Sequence, residues 1–230
     1  MAIDTGKYNV DQAGYQQLVD EIYQAHPDGI TLPPEYAYFF EKDMLRFLIR
    51  LARYKFVCRM IKPTDTVLEI GSGSGVGCVF LSQHCAHVTG LEVKSTEVDE
   101  ARAINRRSNV EFVCGDLFET PTEKKYDVVM ALDVIEHMPI EQGRQLVAAM
   151  TQRLSPSGML VIGSPSIYSY PYQSALSKAS HVKCYDQKEL VELIDAYCGR
   201  TLPFAMNDEV VHTGYAKMAW YYFVLGFLPK

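Results

Sequence analysis

Short runs of β-branched and other apolar residues alternate along the chain with longer amphipathic segments. From residue 62 onward this alternation is regular, and it predicts strands and helices in turn. The predicted strands are Thr66–Ile70, His87–Val93, Val110–Cys114, Tyr126–Leu132 and Met159–Gly163. The predicted helices are Gly77–His84, Thr96–Arg107, Glu141–Leu154 and Gln187–Tyr197. Near-continuous apolar strands alternating with helices are typical of a parallel sheet that is covered on both faces.

The two ends of the chain follow other patterns. Apolar residues at helical spacing predict amphipathic helices over Tyr8–His26 and from Met44 to Cys58, the second with a basic opposite face. We therefore expect residues 1–61 to form a helical cap, or lid, on a compact domain of residues 62–230. Near the C-terminus, runs around Thr201–Asn207 and Ala219–Leu225 predict two strands that pair antiparallel at one edge of the sheet.

Composition narrows the function classes. The 230 residues are 48% hydrophobic and 22% charged, as in an ordinary globular protein. The net charge of −6 argues against nucleic acid as the partner. No apolar run reaches the ~20 residues of a membrane span, and the first residues lack the pattern of a signal peptide. The six cysteines form no CxxC pair, which favours reduced thiols and a cytoplasmic location.

A glycine-rich segment follows the first predicted strand, where it would form a turn into a helix. It reads Gly71-Ser72-Gly73-Ser74-Gly75, and it fits neither the GxGxxG dinucleotide fingerprint nor a phosphate-binding GxxxxGK[ST] loop. Glu69 comes just before it. A carboxylate at this place would repel a pyrophosphate, so the segment suits a cationic ligand.

Further acidic residues end the next predicted strands. Glu92 lies 21 positions beyond Gly71, where doubly wound nucleotide sites hold ribose hydroxyls. Asp116 is placed to accept a hydrogen bond from the exocyclic amine of adenine, with Leu117 packing on the ring. Asp133 ends the fourth strand. Because open α/β sheets bind ligands at the carboxyl ends of their strands, we expect these side chains to share one site.

These segments together resemble the class I S-adenosylmethionine-dependent methyltransferases. The resemblance covers residues 62–165, extends less strongly to residue 197, and includes a last strand at residues 220–226. The matching stretches are VLEIGSGSG, VTGLEV, VEFVCGDL, YDVVMALDVIEHM and LSPSGMLVIGSP.

The resemblance implies a fold and a cofactor site. The fold is a doubly wound, Rossmann-like sheet of seven mostly parallel strands, the last one antiparallel. S-adenosylmethionine would lie over the glycine loop, with S-adenosylhomocysteine as the product. The cofactor-binding residues would be Glu69, Gly71, Ser72, Gly73, Gly75, Glu92, Val93, Asp116, Leu117 and Asp133.

The catalytic candidates are His181, His137 and Glu136, with a histidine as the general base for an oxygen acceptor. His212 is a third histidine, with no motif around it. The segment Asp133–His137 also resembles the acidic-x-x-Glu-His cluster that holds a divalent metal in ubiquinone-pathway O-methyltransferases. A metal on Asp133, Glu136 and His137 is therefore an alternative to a metal-free site.

The sequence thus favours a methyltransferase that methylates a hydroxyl of a small-molecule acceptor, such as a sugar or a phenol. Two alternatives stay open. One is an N-methyltransferase of a small amine, and the other is a non-catalytic subunit that binds S-adenosylmethionine.

Overall fold

A computed structural model describes residues 12–230 as an α/β protein built on one eight-stranded sheet. The strand order is β3-β2-β1-β4-β5-β8-β6-β7. The strands are β1 (Thr66–Ile70), β2 (His87–Glu92), β3 (Val110–Cys114), β4 (Tyr126–Leu132), β5 (Leu154–Pro165), β6 (Cys198–Asn207), β7 (Val210–His212) and β8 (Tyr221–Pro229).

The sheet confirms the predicted fold class and adds one strand to it. Strands β1 to β5 are parallel, and β8 pairs antiparallel with both β5 and β6. The predicted count of seven is one too low because β7, three residues long, pairs antiparallel with β6 and forms the edge. The two C-terminal strands that we predicted do pair antiparallel, but β8 lies inside the sheet rather than at its edge.

Eight α-helices are described in residues 12–230, together with short 3₁₀ segments at 135–137, 167–172 and 216–218. The helices are α1 (Gln12–Ala25), α2 (Pro34–Lys42), α3 (Met44–Met60), α4 (Val76–Leu81), α5 (Ser95–Ile104), α6 (Ile140–Thr151), α7 (Ala175–Ser180) and α8 (Gln187–Asp195).

Alternating residues of the strands point to opposite faces of the sheet, so the molecule has two hydrophobic cores. Leu68 of β1 packs in the core that α6 and α8 cover, whereas its neighbour Val67 packs in the core that α3, α4 and α5 cover. Both are buried. This double cover is why the central strands are apolar at nearly every position, as the sequence pattern indicated.

Residue 32 ends the first of two compact units, and the second comprises residues 33–230. Helices α2 and α3 therefore belong to the same unit as the sheet. That residues 1–61 act as a cap on the domain of residues 62–230 stays a prediction. In the part of the chain from residue 12 on, no helix has the length and apolar composition that crossing a bilayer requires.

Helix α3 buries a different face from the predicted one. Its buried residues are Ala52, Phe56 and Val57. Helical spacing instead predicted a buried stripe that includes Met44 and Leu48, and both of these are about half exposed. Asp43 caps the N-terminus of the helix, and its carboxylate accepts a hydrogen bond from the Arg46 N–H (3.0 Å). Because a different face is buried, the side of α3 that packs on the sheet includes Arg53, a residue of the basic face that we expected to be exposed.

Candidate active site

The glycine loop turns sharply between β1 and α4. Gly71, Gly73 and Gly75 all have left-handed backbones, with φ of 68°, 52° and 79°. The N–H groups of Gly71 and Ser72 both donate to the carbonyl of Leu91 on the neighbouring strand (2.8 and 3.2 Å). Since other residues rarely adopt such φ values, the loop depends on its glycines for this shape.

Glu92 at the end of β2 holds this loop in place. Its buried carboxylate accepts hydrogen bonds from the backbone N–H groups of Gly73 and Lys94, both at 3.0 Å. An ionised carboxylate offers about four lone-pair sites, so two remain for hydroxyl groups of a ligand. Glu92 and the glycine loop are thus joined in the fold, and the binding of a ribose diol by Glu92 stays a prediction.

Two serine hydroxyls of the loop have no hydrogen-bond partner in the described part of the chain. The side-chain oxygens of Ser72 and Ser74 are buried and make no hydrogen bond to any residue in the described range 12–230. Buried hydroxyl groups are normally hydrogen-bonded, so these two mark places where a ligand or water would bond.

The proposed adenine end lies after β2 and β3. Val93 and Asp116 are exposed, and the Asp116 carboxylate accepts a hydrogen bond from the Phe118 N–H (2.8 Å). The side chain of Leu117 is instead buried in the core that α6 and α8 cover. Its contact with an adenine ring stays a prediction.

Glu69 is buried inside the fold beneath the glycine loop. Its two carboxylate oxygens accept hydrogen bonds from the Tyr54 hydroxyl of α3 (2.8 Å) and the Cys78 thiol of α4 (3.0 Å). Burial raises the pKa of Glu69 to about 7, although both hydrogen bonds lower it. The side chain therefore ties two helices to β1, and a direct contact with the donor stays a prediction.

Asp133, after β4, pairs with a residue that the sequence did not single out. Its carboxylate accepts a hydrogen bond from the Arg53 guanidinium of α3. Arg53 also stacks over the ring of Tyr221, 4.1 Å from the centroid, and its Nε has no partner within residues 12–230. Asp133 itself has a left-handed backbone with φ of 57°. The sequence contains no motif around Arg53. The direction in which its side chain points depends on how α3 packs against the sheet.

The three catalytic candidates meet beyond Asp133. Glu136 and His137 lie in the 3₁₀ segment after β4, and His181 directly follows α7. The two imidazole rings contact each other edge to face, with centroids 5.1 Å apart. The N–H groups of Val182 and Lys183 donate to the Glu136 carbonyl (2.8 and 3.0 Å), which fixes the two segments together.

Both histidines have an oriented ring. His137 Nδ1 donates to the Ser180 carbonyl (3.0 Å), and His181 Nδ1 donates to Gln173 Oε1 (2.8 Å). With Nδ1 protonated, Nε2 of each neutral ring carries a free lone pair. Burial, and secondarily His137, lowers the pKa of His181, which favours this neutral form.

Glu136 is fully buried. One carboxylate oxygen accepts a hydrogen bond from the Ser164 hydroxyl (3.2 Å), and the other, Oε1, has no partner in the described part of the chain. Burial, with the nearby charge of Asp133, raises the pKa of Glu136 well above its ordinary value. His212, by contrast, lies away from this group in β7, with its Nε2 2.9 Å from Asn207 Oδ1.

The residues that could hold a metal differ from the set that the resemblance implied. One ligand atom each from Glu136, His137 and His181 lie within 4.8 Å of one another. Asp133 is outside this group and pairs with Arg53 instead. The partnerless Glu136 Oε1 fits a cation at this place, because a buried carboxylate oxygen needs a positive or hydrogen-bonding partner.

The sheet order, the glycine loop after β1 and the acid that ends β2 define the class I methyltransferase fold. A family model described as "Methyltransferase domain" matches residues 67–158. Residues 67–158 thus match a methyltransferase domain, and the fold around them is that of the class I S-adenosylmethionine-dependent methyltransferases.

Two curated relatives and one solved structure place this domain among known proteins. A ubiquinone biosynthesis O-methyltransferase of Rickettsia bellii is 25% identical over 118 residues, which are 50% of this chain and 48% of that protein. A phosphoethanolamine N-methyltransferase of Plasmodium falciparum is 31% identical over 106 residues, 44% of this chain and 40% of that protein. The chain thus spans about half the length of the curated relatives that it matches.

The structural comparison covers most of both chains. The N-methyltransferase NodS of Bradyrhizobium japonicum, solved with S-adenosylhomocysteine, has a TM-score of 0.57 and 19% identity. The match covers 83% of this chain and 88% of that one. At this identity the likeness shows the fold.

Proposed function

We propose that the protein transfers a methyl group from S-adenosylmethionine to a hydroxyl of a small-molecule acceptor, such as a sugar or a phenol-like compound. The observation that carries this proposal is the placement of two features at one edge of the sheet. The glycine loop follows β1 and is bonded to Glu92 at the end of β2. His137 follows β4, and His181, which contacts it, follows α7.

The donor would lie along the ends of β1, β2 and β3. The backbones of Gly71 and Gly73 would approach the methionine part, with the Ser72 and Ser74 hydroxyls as further bonding groups. The two free lone-pair sites of Glu92 would accept from the ribose diol. At the far end Asp116 would accept from the adenine amine, beside Val93 and Leu117. Gly75 would keep the turn open, because a Cβ there would lie 2.6 Å from Ala101 Cβ and Phe112 Cζ.

The reaction would be a direct displacement at the methyl carbon. A lone pair of the acceptor oxygen forms the new C–O bond while the C–S bond breaks, and the sulfur keeps that electron pair as a neutral thioether. The acceptor proton passes to Nε2 of a histidine in the His137–His181 pair and then to solvent. Holding the two reactants in near-attack geometry can supply ~7–11 kcal/mol of the rate enhancement.

Exposed aromatic rings follow β5, where they would border the proposed acceptor site. Tyr168, Tyr170 and Tyr172 follow β5, and each is more than a third exposed. Tyr172 contacts Trp220 edge to face, with centroids 5.3 Å apart. Such rings can stack on an aryl or sugar face, and their hydroxyls can bond to it. This supports a cyclic hydroxylated acceptor.

The histidine pair gives the first prediction. With labelled S-adenosylmethionine and a panel of phenols, sugars and amines, we expect the unmodified protein to label a hydroxylated acceptor. Replacing both histidines with alanine removes the base, so we expect turnover at neutral pH to fall by a factor of ~10²–10⁴ while donor binding persists. His212→Ala, at the distant edge of the sheet, is the matched control.

The same assay separates the alternatives. The match to an N-methyltransferase supports a small amine as the alternative acceptor. A neutral amine already carries a lone pair, so labelled amine product and undiminished turnover in the double-alanine variant would favour nitrogen. Donor binding without any product from cell extracts would favour a non-catalytic subunit.

We also propose that the protein works in the cytoplasm. All six cysteines are free thiols, and Cys78, Cys85 and Cys198 are buried. Free thiols support a reducing compartment.

A further inference from the structure

A cavity of about 240 Å³ lies against strands β1, β2 and β3. It is on the side of the sheet that α6 and α8 cover, because Leu68 lines it. Over the cavity the chain between β3 and β4, residues 115–125, forms no helix. The apolar lining residues are Leu68, Leu91 and Val113 from the strands and Pro121 from this connection. An apolar cavity of ~150 Å³ holds a benzene molecule, so this one has room for about ten non-hydrogen atoms.

A buried arginine without an acidic partner lines the same cavity. Arg153, between α6 and β5, is only 3% exposed. Its guanidinium donates hydrogen bonds to the carbonyls of Ala149 (2.8 Å), Leu117 (2.6 Å) and Thr120 (2.7 Å). These partners are neutral, and Arg153 forms no ion pair with a carboxylate within residues 12–230. Buried charges in proteins are normally paired, so the positive charge of Arg153 favours an anion in the cavity.

Two further donors reach the cavity and have only weak partners. Lys124 Nζ and the Tyr126 hydroxyl each lie 3.5 Å from the Thr89 hydroxyl oxygen. Both distances exceed the ~2.5–3.2 Å of ordinary hydrogen bonds. Lys124 also lies over the ring of Tyr126, with Nζ 5.0 Å from the centroid. The ammonium and the phenol are therefore placed to donate to an acceptor that enters the cavity.

The charges of the lining residues leave one positive charge uncompensated. Among the described residues that line the cavity, Glu111 is the one acid. Its Oε2 lies 4.0 Å from Lys124 Nζ and 3.8 Å from His87 Nε2, and its side chain is more than half exposed. Glu111 can balance Lys124 or Arg153 but not both. A ligand with a single negative charge would make the cavity neutral.

We propose that this cavity binds a small organic monoanion, a carboxylate on an apolar body of about ten non-hydrogen atoms. The carboxylate accepts from Lys124 and the Tyr126 hydroxyl, and Arg153 supplies further positive charge. The apolar body packs on Leu91 and Val113. Inorganic anions lack the apolar part, and neutral molecules leave the charge unbalanced. None of the lining residues belongs to the glycine loop or to the His137–His181 pair, so this site is separate from the proposed methyl transfer.

The probe is 3-phenylpropanoate, which has the required size and a single negative charge. Its neutral counterpart is 3-phenylpropanamide. We titrate the full-length, ¹⁵N-labelled protein with each compound and follow the backbone amides by NMR. We expect saturable binding of 3-phenylpropanoate with a Kd below about 1 mM, as suits a ligand of this size. The amide shifts should concentrate at Thr89, Val113 and Thr120, and 3-phenylpropanamide should bind at least about tenfold more weakly, because it lacks the charge.

A pair of neighbouring lysines provides the matched variants. Lys124→Met removes the ammonium and keeps the apolar stem, so we expect binding to weaken by about fivefold or more. Lys125→Met removes an exposed lysine that bonds to the Gln152 carbonyl and does not line the cavity. This control should bind within about twofold of the unmodified protein. Arg153 itself holds the Leu117 and Thr120 carbonyls, so its removal could unfold the segment, and the lysine pair avoids this difficulty.

The variant with alanine at both His137 and His181 separates this cavity from the proposed acceptor site. We expect it to bind 3-phenylpropanoate as the unmodified protein does. The inference is overturned if the unmodified protein shows no saturable binding, if 3-phenylpropanamide binds equally well, or if Lys124→Met binds as tightly as Lys125→Met. Amide shifts centred on His137 and His181, with binding lost in the double-alanine variant, would also overturn it and would place the probe at the acceptor site.

Discussion

At the scale of single residues, Glu69 shows how burial changes the role of a motif residue. The sequence placed this acid beside a cationic ligand. In the fold both of its oxygens bond to side chains of α3 and α4, and only 1% of its surface is exposed. A carboxylate in such a place loses hydration that its hydrogen bonds only partly replace, which is why its pKa rises to about 7.

This pKa predicts how Glu69→Gln changes stability with pH. The folded pKa is about 7 and the ordinary value is 4.5, so the folded state holds this proton more tightly than the unfolded state. Between these two values the free energy of unfolding of the unmodified protein falls as pH rises, and above about pH 7 the loss is complete. The neutral amide of Gln has no such loss.

We expect the Gln variant to match the unmodified protein near pH 4.5 and to exceed it above about pH 7, by at most about 3 kcal/mol. Urea unfolding at several pH values measures the difference, with the exposed Glu123→Gln as the control. A difference that shrinks with rising pH would contradict the assigned environment of Glu69.

At the scale of elements, helix α3 is bound to the site edge of the sheet by polar contacts. Tyr54 bonds to Glu69 of β1, and Arg53 bonds to Asp133 after β4. Tyr54 also lies so close to α4 that a Cβ on Gly77 would be 2.0 Å from its ring. Helix α3 is therefore attached to β1, to α4 and to the residue that follows β4.

Asp133→Asn tests this attachment. Asn tolerates the left-handed backbone of Asp133, so the variant removes the charge without forcing the turn. The partly buried Arg53 guanidinium then lacks its anionic partner, and we expect a loss of ~1–3 kcal/mol in the free energy of unfolding. Amide exchange should also become faster in α3.

The matched control is Asp99→Asn, which removes an exposed pair with Arg102 (3.6 Å). Such surface pairs contribute ~1 kcal/mol or less. Equal effects of the two substitutions, or unchanged exchange in α3, would mean that the Arg53–Asp133 pair does not hold the helix.

The elements also show what the sequence could and could not predict. The strands β1 to β5 were predictable because a doubly covered strand is apolar at nearly every position. The glycine loop and Glu92 were predictable because their spacing is local. The direction of Arg53 was not, because apolar residues occur on several sides of α3. Only packing decides that Phe56 is buried and Leu48 exposed.

The sequence offered His181 and Glu136 as catalytic candidates, but it did not predict that they meet. The contact depends on where α7 ends relative to β4. This distance is set by the tertiary fold and cannot be read from the neighbouring residues. The short edge strand β7 likewise has too few residues for a clear alternation.

At the scale of the whole molecule, the strand order brings the loops after β1, β2 and β4 to one edge. The glycine loop, Glu92 and the segment that carries His137 therefore lie at the same edge although they are far apart in sequence. The central claim is that Glu92 and the glycine loop bind an adenosyl donor there.

Calorimetric titration with S-adenosylhomocysteine tests that claim most directly. We predict binding at one site per chain and an at least tenfold weaker affinity in Glu92→Ala, which corresponds to about 1.4 kcal/mol or more. Glu111→Ala, an exposed acid on β3, should bind like the unmodified protein, and thermal melts verify that each variant folds. No binding by the unmodified protein, or equal affinity in Glu92→Ala, would contradict the account.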